Sequence, residues 1–263
     1  MRGSMTISTP LGPLSLLARV RHLLVAALCS AVAAATAGVA LGQPAPTVAV
    51  AATAPRPIDL SRFEKDIVAF ETADRAAPLP RDGILFVGSS IFRLWKDLGA
   101  HMAPLPVLNR AFGGSRTPEQ LHFFDRVVLP YRPRIIVYYC GSNDVNAGET
   151  AEDIAWHYRE FSERVRATLP GTRVYFASII KAPQKRDRWD VVDRANALVQ
   201  AYSATVADRG YLDINVALQD ERGEPRMELY LSDQLHYLPP AYERLTATVR
   251  PVVEQAWREM TRP

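Results

Sequence analysis

Hydrophobic positions divide most of the chain into two alternating kinds of segment. Short runs of apolar, β-favouring residues occupy 84–87, 107–109, 135–139, 174–180 and 211–214, and their length and composition are typical of buried strands. Between them, apolar residues recur three and four positions apart, which is the period of a helix with one buried face. Strands that alternate with such helices predict an α/β fold whose central, mainly parallel sheet is covered on both faces.

Four of the predicted helices have clear patterns. They are expected at about 62–74, 150–169, 191–206 and 242–260. Ser61 followed by Glu64 forms a capping-box signature for the first helix, and the Pro170-Gly171 pair ends the second. The third is expected to stop near Gly210.

The first 58 residues differ in composition from the rest. Three arginines are the only charged residues before position 44, and an uncharged apolar run covers 23–41. This arrangement predicts an export signal peptide, or an uncleaved membrane anchor, over 1–43. An Ala/Pro-rich linker is expected over 44–58, followed by one folded domain over 59–263. The predicted location is therefore exported, periplasmic or secreted, with membrane contact only through a retained N-terminal segment.

The composition of the folded part indicates how large a core it can form and which functions are not favoured. The chain has 263 residues, of which 48% are hydrophobic, enough for one sizeable α/β core. Beyond the N-terminal arginines it carries 28 basic and 28 acidic side chains, so the charge gives no indication of nucleic-acid binding. If Cys29 leaves with the signal, Cys140 is the sole cysteine and no internal disulfide can form. The apolar run before Cys140 favours a buried structural thiol over a reactive one.

Serines and glycines follow the first two predicted strands. Ser89 and Ser90 come directly after Gly88, at the carboxyl end of the first strand, where open parallel sheets hold their ligands. A serine there is placed to act as a nucleophile, and it is also a common cap for the following helix. After the second strand, Gly114 follows another glycine. Such a turn can present a bare N–H to a ligand, or it can simply require positive φ.

Two later segments carry groups that a serine nucleophile needs. Asn143 follows the third strand; its side-chain amide can donate to an oxyanion or can form a turn with the next aspartate. Asp233 and His236 lie three residues apart just before the terminal helix. That spacing lets the carboxylate hydrogen-bond Nδ1 and leaves Nε2 free to take a proton. The pair is the most specific local signal in the sequence.

Four motifs of the chain resemble, in order and approximate spacing, the sequence blocks of the SGNH hydrolases, also called GDSL esterases/lipases. They are Gly88-Ser89-Ser90, the Gly114 turn, Gly141-Ser142-Asn143-Asp144 and Asp233-Gln234-Leu235-His236. The resemblance spans about 63–260 and implies a flavodoxin-like three-layer α/β/α sandwich around a mainly parallel, five-stranded sheet. It departs at Ser89, where the family usually has aspartate.

The resemblance also implies a role for each site residue. Ser90 is the expected nucleophile, His236 its base and Asp233 the group that orients the base. The backbone N–H of Ser90 joins Gly114 and Asn143 in the expected oxyanion hole. Ser89 is a conceivable rival nucleophile, but the register of the motif favours Ser90. No cofactor is implied, and the sequence holds no convincing cluster of metal ligands.

The sequence therefore predicts an exported serine esterase or acylhydrolase that cleaves carboxylic esters through an acyl-serine intermediate. Two alternatives stay open: an O-acetylesterase or acetyltransferase acting on cell-envelope glycans with the same residues, and a non-catalytic ligand-binding module. The expected partner is a small-molecule or glycan ester.

A basic loop follows the fourth predicted strand. It contains Lys181, Lys185, Arg186 and Arg188, which could meet an anionic substrate. Because acidic residues are interleaved with them, a solvated polar loop is the favoured interpretation.

Overall fold

A single parallel sheet forms the centre of the described part of the protein. The computed structural model describes residues 59–77 and 80–262. The strands are β1 (Ile84–Gly88), β2 (Val107–Asn109), β3 (Ile135–Tyr139), β4 (Arg173–Ala177) and β5 (Arg209–Leu212). They pair in the order β2-β1-β3-β4-β5, and every pairing is parallel. The predicted α/β class with a five-stranded parallel sheet is confirmed.

Helices lie between consecutive strands, before the first strand and after the last. They are α1 (Glu64–Ala76), α2 (Ser90–Arg93), α3 (Leu98–Met102), α4 (Thr117–His122), α5 (Phe124–Val127), α6 (Ser142–Ala147), α7 (Ala151–Thr168), α8 (Trp189–Thr205) and α9 (Pro239–Thr261). Short 3-10 helices occupy Leu60–Phe63, Leu129–Tyr131, Pro183–Arg188, Asn215–Ala217 and Met227–Leu229. Within the described residues, no helix has both the length and the apolar character that crossing a membrane requires.

The sheet separates two hydrophobic cores. Successive side chains of a strand point to opposite faces, so Phe86 of β1 packs in one core with Leu245 of α9. Its neighbour Leu85 packs in the other core with Phe161 of α7. Each face of the sheet is therefore covered by helices, and the expected three-layer α/β/α arrangement is confirmed.

Two strands end earlier in the chain than the sequence predicts. In both, a side chain forms hydrogen bonds with the backbone of a residue that would otherwise pair in the sheet. The run at 174–180 leaves the sheet after Ala177, since the backbone of Ile179 pairs with Asn196 instead. The Ile179 N–H donates to Asn196 Oδ1 over 2.8 Å, and Asn196 Nδ2 donates to the Ile179 carbonyl over 2.9 Å. The run predicted at 211–214 pairs over Arg209–Leu212, because the Ile214 N–H donates to Ser178 Oγ over 2.9 Å.

Two helix boundaries also differ from expectation. Asp59, rather than Ser61, caps the first helical segment: its carboxylate accepts the Ser61 N–H over 3.0 Å. A 3-10 turn therefore precedes α1. The helix predicted to stop near Gly210 ends at Thr205, and Gly210 lies inside β5.

Cys140 directly follows β3 and is fully buried. Burial raises the pKa of its thiol well above the ordinary value, as expected for a structural cysteine. The predicted export segment over 1–43 and the linker over 44–58 lie outside the described residues, so both stay predictions.

Candidate active site

A sharp turn after β1 sets the position of Ser90. Gly88 has φ of +136°, and a Cβ on this residue would lie 1.8 Å from the Tyr139 carbonyl oxygen. Only glycine fits, because β1 and β3 approach each other closely here. The Ser89 N–H then donates to that same Tyr139 carbonyl over 3.0 Å. The chain turns directly into α2, whose first residue is Ser90.

Ser90, His236 and Asp233 form a continuous chain of hydrogen bonds. Ser90 Oγ lies 2.9 Å from His236 Nε2, and His236 Nδ1 lies 2.6 Å from Asp233 Oδ2. Ser89 does not take part: its side chain is buried, and its Oγ has no hydrogen-bond partner among the described residues. The structure thus brings Ser90, not its neighbour, to the imidazole.

The Asp233 carboxylate is held in its charged form. Burial opposes ionisation, but hydrogen bonds from the His236 side chain and from the backbone N–H groups of His236 and Leu235 outweigh it. Together they lower the pKa of Asp233 to about 2. The two backbone bonds to Asp233 Oδ1 measure 2.9 Å and 3.0 Å. An ionised acceptor on Nδ1 favours the tautomer in which Nε2 carries no proton and can accept one.

The turn that carries Asp233 and His236 is closed by its own backbone bonds and joined by one more to the loop after β4. Leu231 N–H donates to the His236 carbonyl over 2.8 Å, and Gln234 N–H donates to the Leu231 carbonyl over 2.9 Å. Gln234 adopts the left-handed region with φ of +57°. From the loop after β4, the Gln184 N–H donates to the Gln234 carbonyl over 3.2 Å. These bonds fix the turn although the Asp233 side chain is 48% exposed.

Gly114 lies on the loop after β2 and Asn143 in the first turn of α6, directly after β3, both at the same edge of the sheet as Ser90. Gly114 has φ of +82°, and its carbonyl accepts from Arg62 over 3.1 Å. Asn143 Nδ2 donates one hydrogen to the Ser115 carbonyl over 2.9 Å. The neighbouring strands β2, β1 and β3 run parallel, so the segments that follow them meet at the carboxyl ends of the three strands. Among the described residues none accepts the second Asn143 hydrogen, so it can donate to a ligand.

Asp144 connects the Asn143 loop to α4, a role that the sequence did not indicate. Its fully buried carboxylate accepts from both the backbone N–H and the hydroxyl of Thr117, over 2.9 Å and 2.6 Å. Burial raises the pKa of Asp144 to about 6, although the Thr117 bonds act in the opposite direction. The motif spacing marked Asp144 only as part of a turn; its partner lies 27 positions away.

The basic loop after β4 is not uniformly solvated. Lys181 pairs with Asp193 over 2.9 Å and Arg186 with Glu224 over 2.7 Å, as expected for surface charges. Lys185, however, is only 1% exposed. The prediction of a solvated loop is wrong for this residue, because the 3-10 segment Pro183–Arg188 turns its side chain inward.

Comparisons with known proteins concern the family and the fold. A family model for GDSL-like lipases/acylhydrolases matches residues 87–244. No curated protein sequence gives a significant match. A solved structure from Bacteroides thetaiotaomicron, a GDSL-like lipase, is 17% identical with a TM-score of 0.63, covering 75% of this chain and 100% of its own.

Two further solved structures show the same fold. A Streptococcus pneumonia protein named for platelet activating factor is 17% identical with a TM-score of 0.65, covering 74% of this chain and 94% of its own. A mutant acetyl esterase solved with acetate ion is 14% identical with a TM-score of 0.54, covering 68% of this chain and 99% of its own. At these identities the likeness concerns the fold.

Proposed function

Because the chain belongs to the GDSL-like lipase/acylhydrolase family, we propose that it is a serine esterase that cleaves carboxylic esters through an acyl-Ser90 intermediate. The observation that carries the proposal is the 2.9 Å contact between Ser90 Oγ and His236 Nε2, together with the 2.6 Å contact from His236 to Asp233. These distances lie within the range in which a base takes a proton from a nucleophile.

The first half of the reaction forms the acyl-enzyme. His236 Nε2 takes the hydroxyl proton as Ser90 Oγ attacks the ester carbonyl carbon, and a tetrahedral intermediate results. The Asp233 carboxylate stabilises the positively charged imidazolium of His236 that results. When the intermediate collapses, the bond between carbon and the alcohol oxygen breaks, and His236 returns the proton to the leaving alcohol.

Three donors are proposed to stabilise the oxyanion of that intermediate. They are the backbone N–H groups of Ser90 and Gly114 and the second hydrogen of Asn143 Nδ2. The donors belong to three segments that follow three different strands, and hydrogen bonds hold these segments in place, so little reorganisation is needed as charge develops. Loss of one such donor typically lowers kcat by about 10²–10³.

Hydrolysis of the acyl-enzyme repeats these steps with water. His236 takes a proton from a water molecule, the resulting oxygen attacks the acyl carbon, and Ser90 leaves with the proton returned by His236. The carboxylic acid is then released. The proposed substrate is a small-molecule or glycan ester, and the apolar N-terminal run supports export of the enzyme.

The decisive experiment compares Ser90→Ala with Ser89→Ala. We expect purified Ser90→Ala to lose hydrolysis of a short aryl ester and covalent labelling by a fluorophosphonate, because both need the Ser90 hydroxyl. Ser89→Ala is the matched control, since it removes an adjacent hydroxyl that has no partner among the described residues; we expect it to retain both properties.

Three outcomes would contradict the proposal. Wild-type hydrolysis by Ser90→Ala would overturn the assignment of the nucleophile. Loss of activity in Ser89→Ala with retention in Ser90→Ala would move the chemistry to the neighbouring serine. A folded wild-type protein that neither hydrolyses esters nor reacts with the fluorophosphonate would favour a ligand-binding module.

A further inference from the structure

Lys185 is a buried ammonium group in the loop between β4 and α8. Its side chain is 1% exposed, and its Nζ donates to Ser142 Oγ over 2.9 Å and to the Gln184 side-chain carbonyl over 3.2 Å. No carboxylate among the described residues forms an ion pair with it. Both partners are neutral oxygens.

This arrangement is unfavourable for stability by itself. Moving a charge out of water is expensive unless an opposite charge compensates it, and an apolar side chain of similar size is often the more stable choice. Burial lowers the pKa of Lys185 to about 8, so the group is still mainly protonated at neutral pH. A charged donor makes a stronger hydrogen bond than a neutral one, which fits a role in holding Ser142.

Ser142 connects Lys185 to the proposed oxyanion hole. Ser142 is the first residue of α6 and immediately precedes Asn143. On the other side, Asn143 Nδ2 is held by the Ser115 carbonyl over 2.9 Å. Lys185 therefore holds the side chain of the residue directly before Asn143. The direction of the Asn143 amide decides whether it can reach the proposed oxyanion.

The same segment also contacts the turn that carries the base. Gln184, which accepts from Lys185 through its side chain, donates its backbone N–H to the Gln234 carbonyl over 3.2 Å. Gln234 lies between Asp233 and His236 in sequence. The short segment 184–185 thus touches both the Asn143 loop and the Asp233–His236 turn.

We propose that Lys185 is a positioning residue, which acts through Ser142 and Gln184 to hold the Asn143 amide and the His236 turn in register. The inference rests on the proposed esterase function, and it adds a residue outside the four sequence motifs. Lys185 is not proposed to touch the substrate.

The test replaces Lys185 with methionine, which has similar length but neither charge nor donor. We expect Lys185→Met to lower kcat for a short aryl ester by at least about tenfold with little change in KM, because misplacement of catalytic groups acts on the transition state. The melting temperature should stay the same or rise. Lys181→Met is the matched control from the same loop, and we expect wild-type kinetics from it.

A second readout does not depend on activity. In NMR spectra of the full chain, Lys185→Met should shift the resonances of the Asn143 side-chain amide and of the His236 Nδ1 proton, whereas Lys181→Met should not. If wild type and all variants lack esterase activity but these shifts occur, the esterase proposal fails and the positioning role stands. Wild-type kcat together with unshifted resonances in Lys185→Met would overturn the positioning role.

If Lys185→Met does not fold, Ser142→Ala tests the same contact. It removes the acceptor and leaves the lysine in place, so we expect a smaller fall in kcat and a shift of the Asn143 amide. If both variants fold, their effects should be less than additive, because they break the same contact. Wild-type kcat and an unshifted Asn143 amide in Ser142→Ala would refute the connection.

Discussion

The buried carboxylate of Asp144 should make the stability of the protein depend on pH in a narrow window. Its side chain is fully buried, Oδ1 accepts both Thr117 bonds, and Oδ2 has no partner among the described residues. Burial raises its pKa from 3.8 to about 6. Between these values the folded protein binds more protons than the unfolded chain, so stability falls as pH rises.

The size of the effect follows from the two pKa values. Each unit of difference corresponds to about 1.4 kcal/mol, which gives roughly 3 kcal/mol between the protonated and ionised forms. This stabilisation is fully present below pH 3.8 and is lost as pH rises through about 6. Asp144→Asn cannot ionise, and its amide oxygen can still accept from Thr117. The variant should therefore gain stability relative to wild type as pH rises from about 4 to about 7.

Urea denaturation at several pH values from about 4 to about 8 measures this difference. The quantity to follow is the free energy of unfolding of Asp144→Asn minus that of wild type, because other titrating groups cancel. Asp66→Asn is the control for the loss of a carboxylate as such, since Asp66 is exposed on α1. A difference for Asp144→Asn that stays flat within about 0.5 kcal/mol over this range would refute the reasoning.

Three further predictions each concern a single residue. Asp233→Asn should lower kcat by about 10³–10⁴ in the ester assay, because a neutral amide no longer selects the reactive tautomer of His236; wild-type kcat would contradict this. Gly88→Ala should yield no folded protein by circular dichroism, because the new Cβ would meet a backbone oxygen at 1.8 Å, whereas Gly99→Ala should fold because a Cβ there has no neighbour within 4 Å. Mass spectrometry after treatment with a thiol reagent should find the Cys140 peptide labelled only in denaturant, and labelling of the native protein would show that the thiol is accessible.

The sequence was most informative about features that depend on one short segment and on the general geometry of a parallel sheet. Apolar runs identified the strands, and parallel strands place their carboxyl ends at one edge, so the loops of Ser90, Gly114 and Asn143 could be expected to meet. The three-residue spacing of Asp233 and His236 likewise predicted their contact, which the structure shows at 2.6 Å. Each of these inferences needed only one segment and the topology of the fold.

Residues that depend on distant side chains were missed or placed wrongly. The strand at 174–180 was predicted too long because periodicity carries no sign that Asn196 would capture the Ile179 backbone. Lys185 was expected in solvent because a charge among other charges usually is. Its buried ammonium donates to Ser142, which lies 43 positions earlier in the chain, and no local pattern connects the two.

The three consecutive residues after Gly141 connect separate segments of the proposed site. Ser142 accepts from Lys185 after β4, Asn143 donates to the Ser115 carbonyl after β2, and Asp144 accepts from Thr117 at the start of α4. Asn143 therefore lies between two residues that are each fixed by a different part of the protein. Because its own amide is also held, the second hydrogen has little freedom to turn away from the proposed oxyanion. We expect a preorganised donor of this kind to become less effective when any one of the three contacts is removed, even where the removed group never meets the substrate.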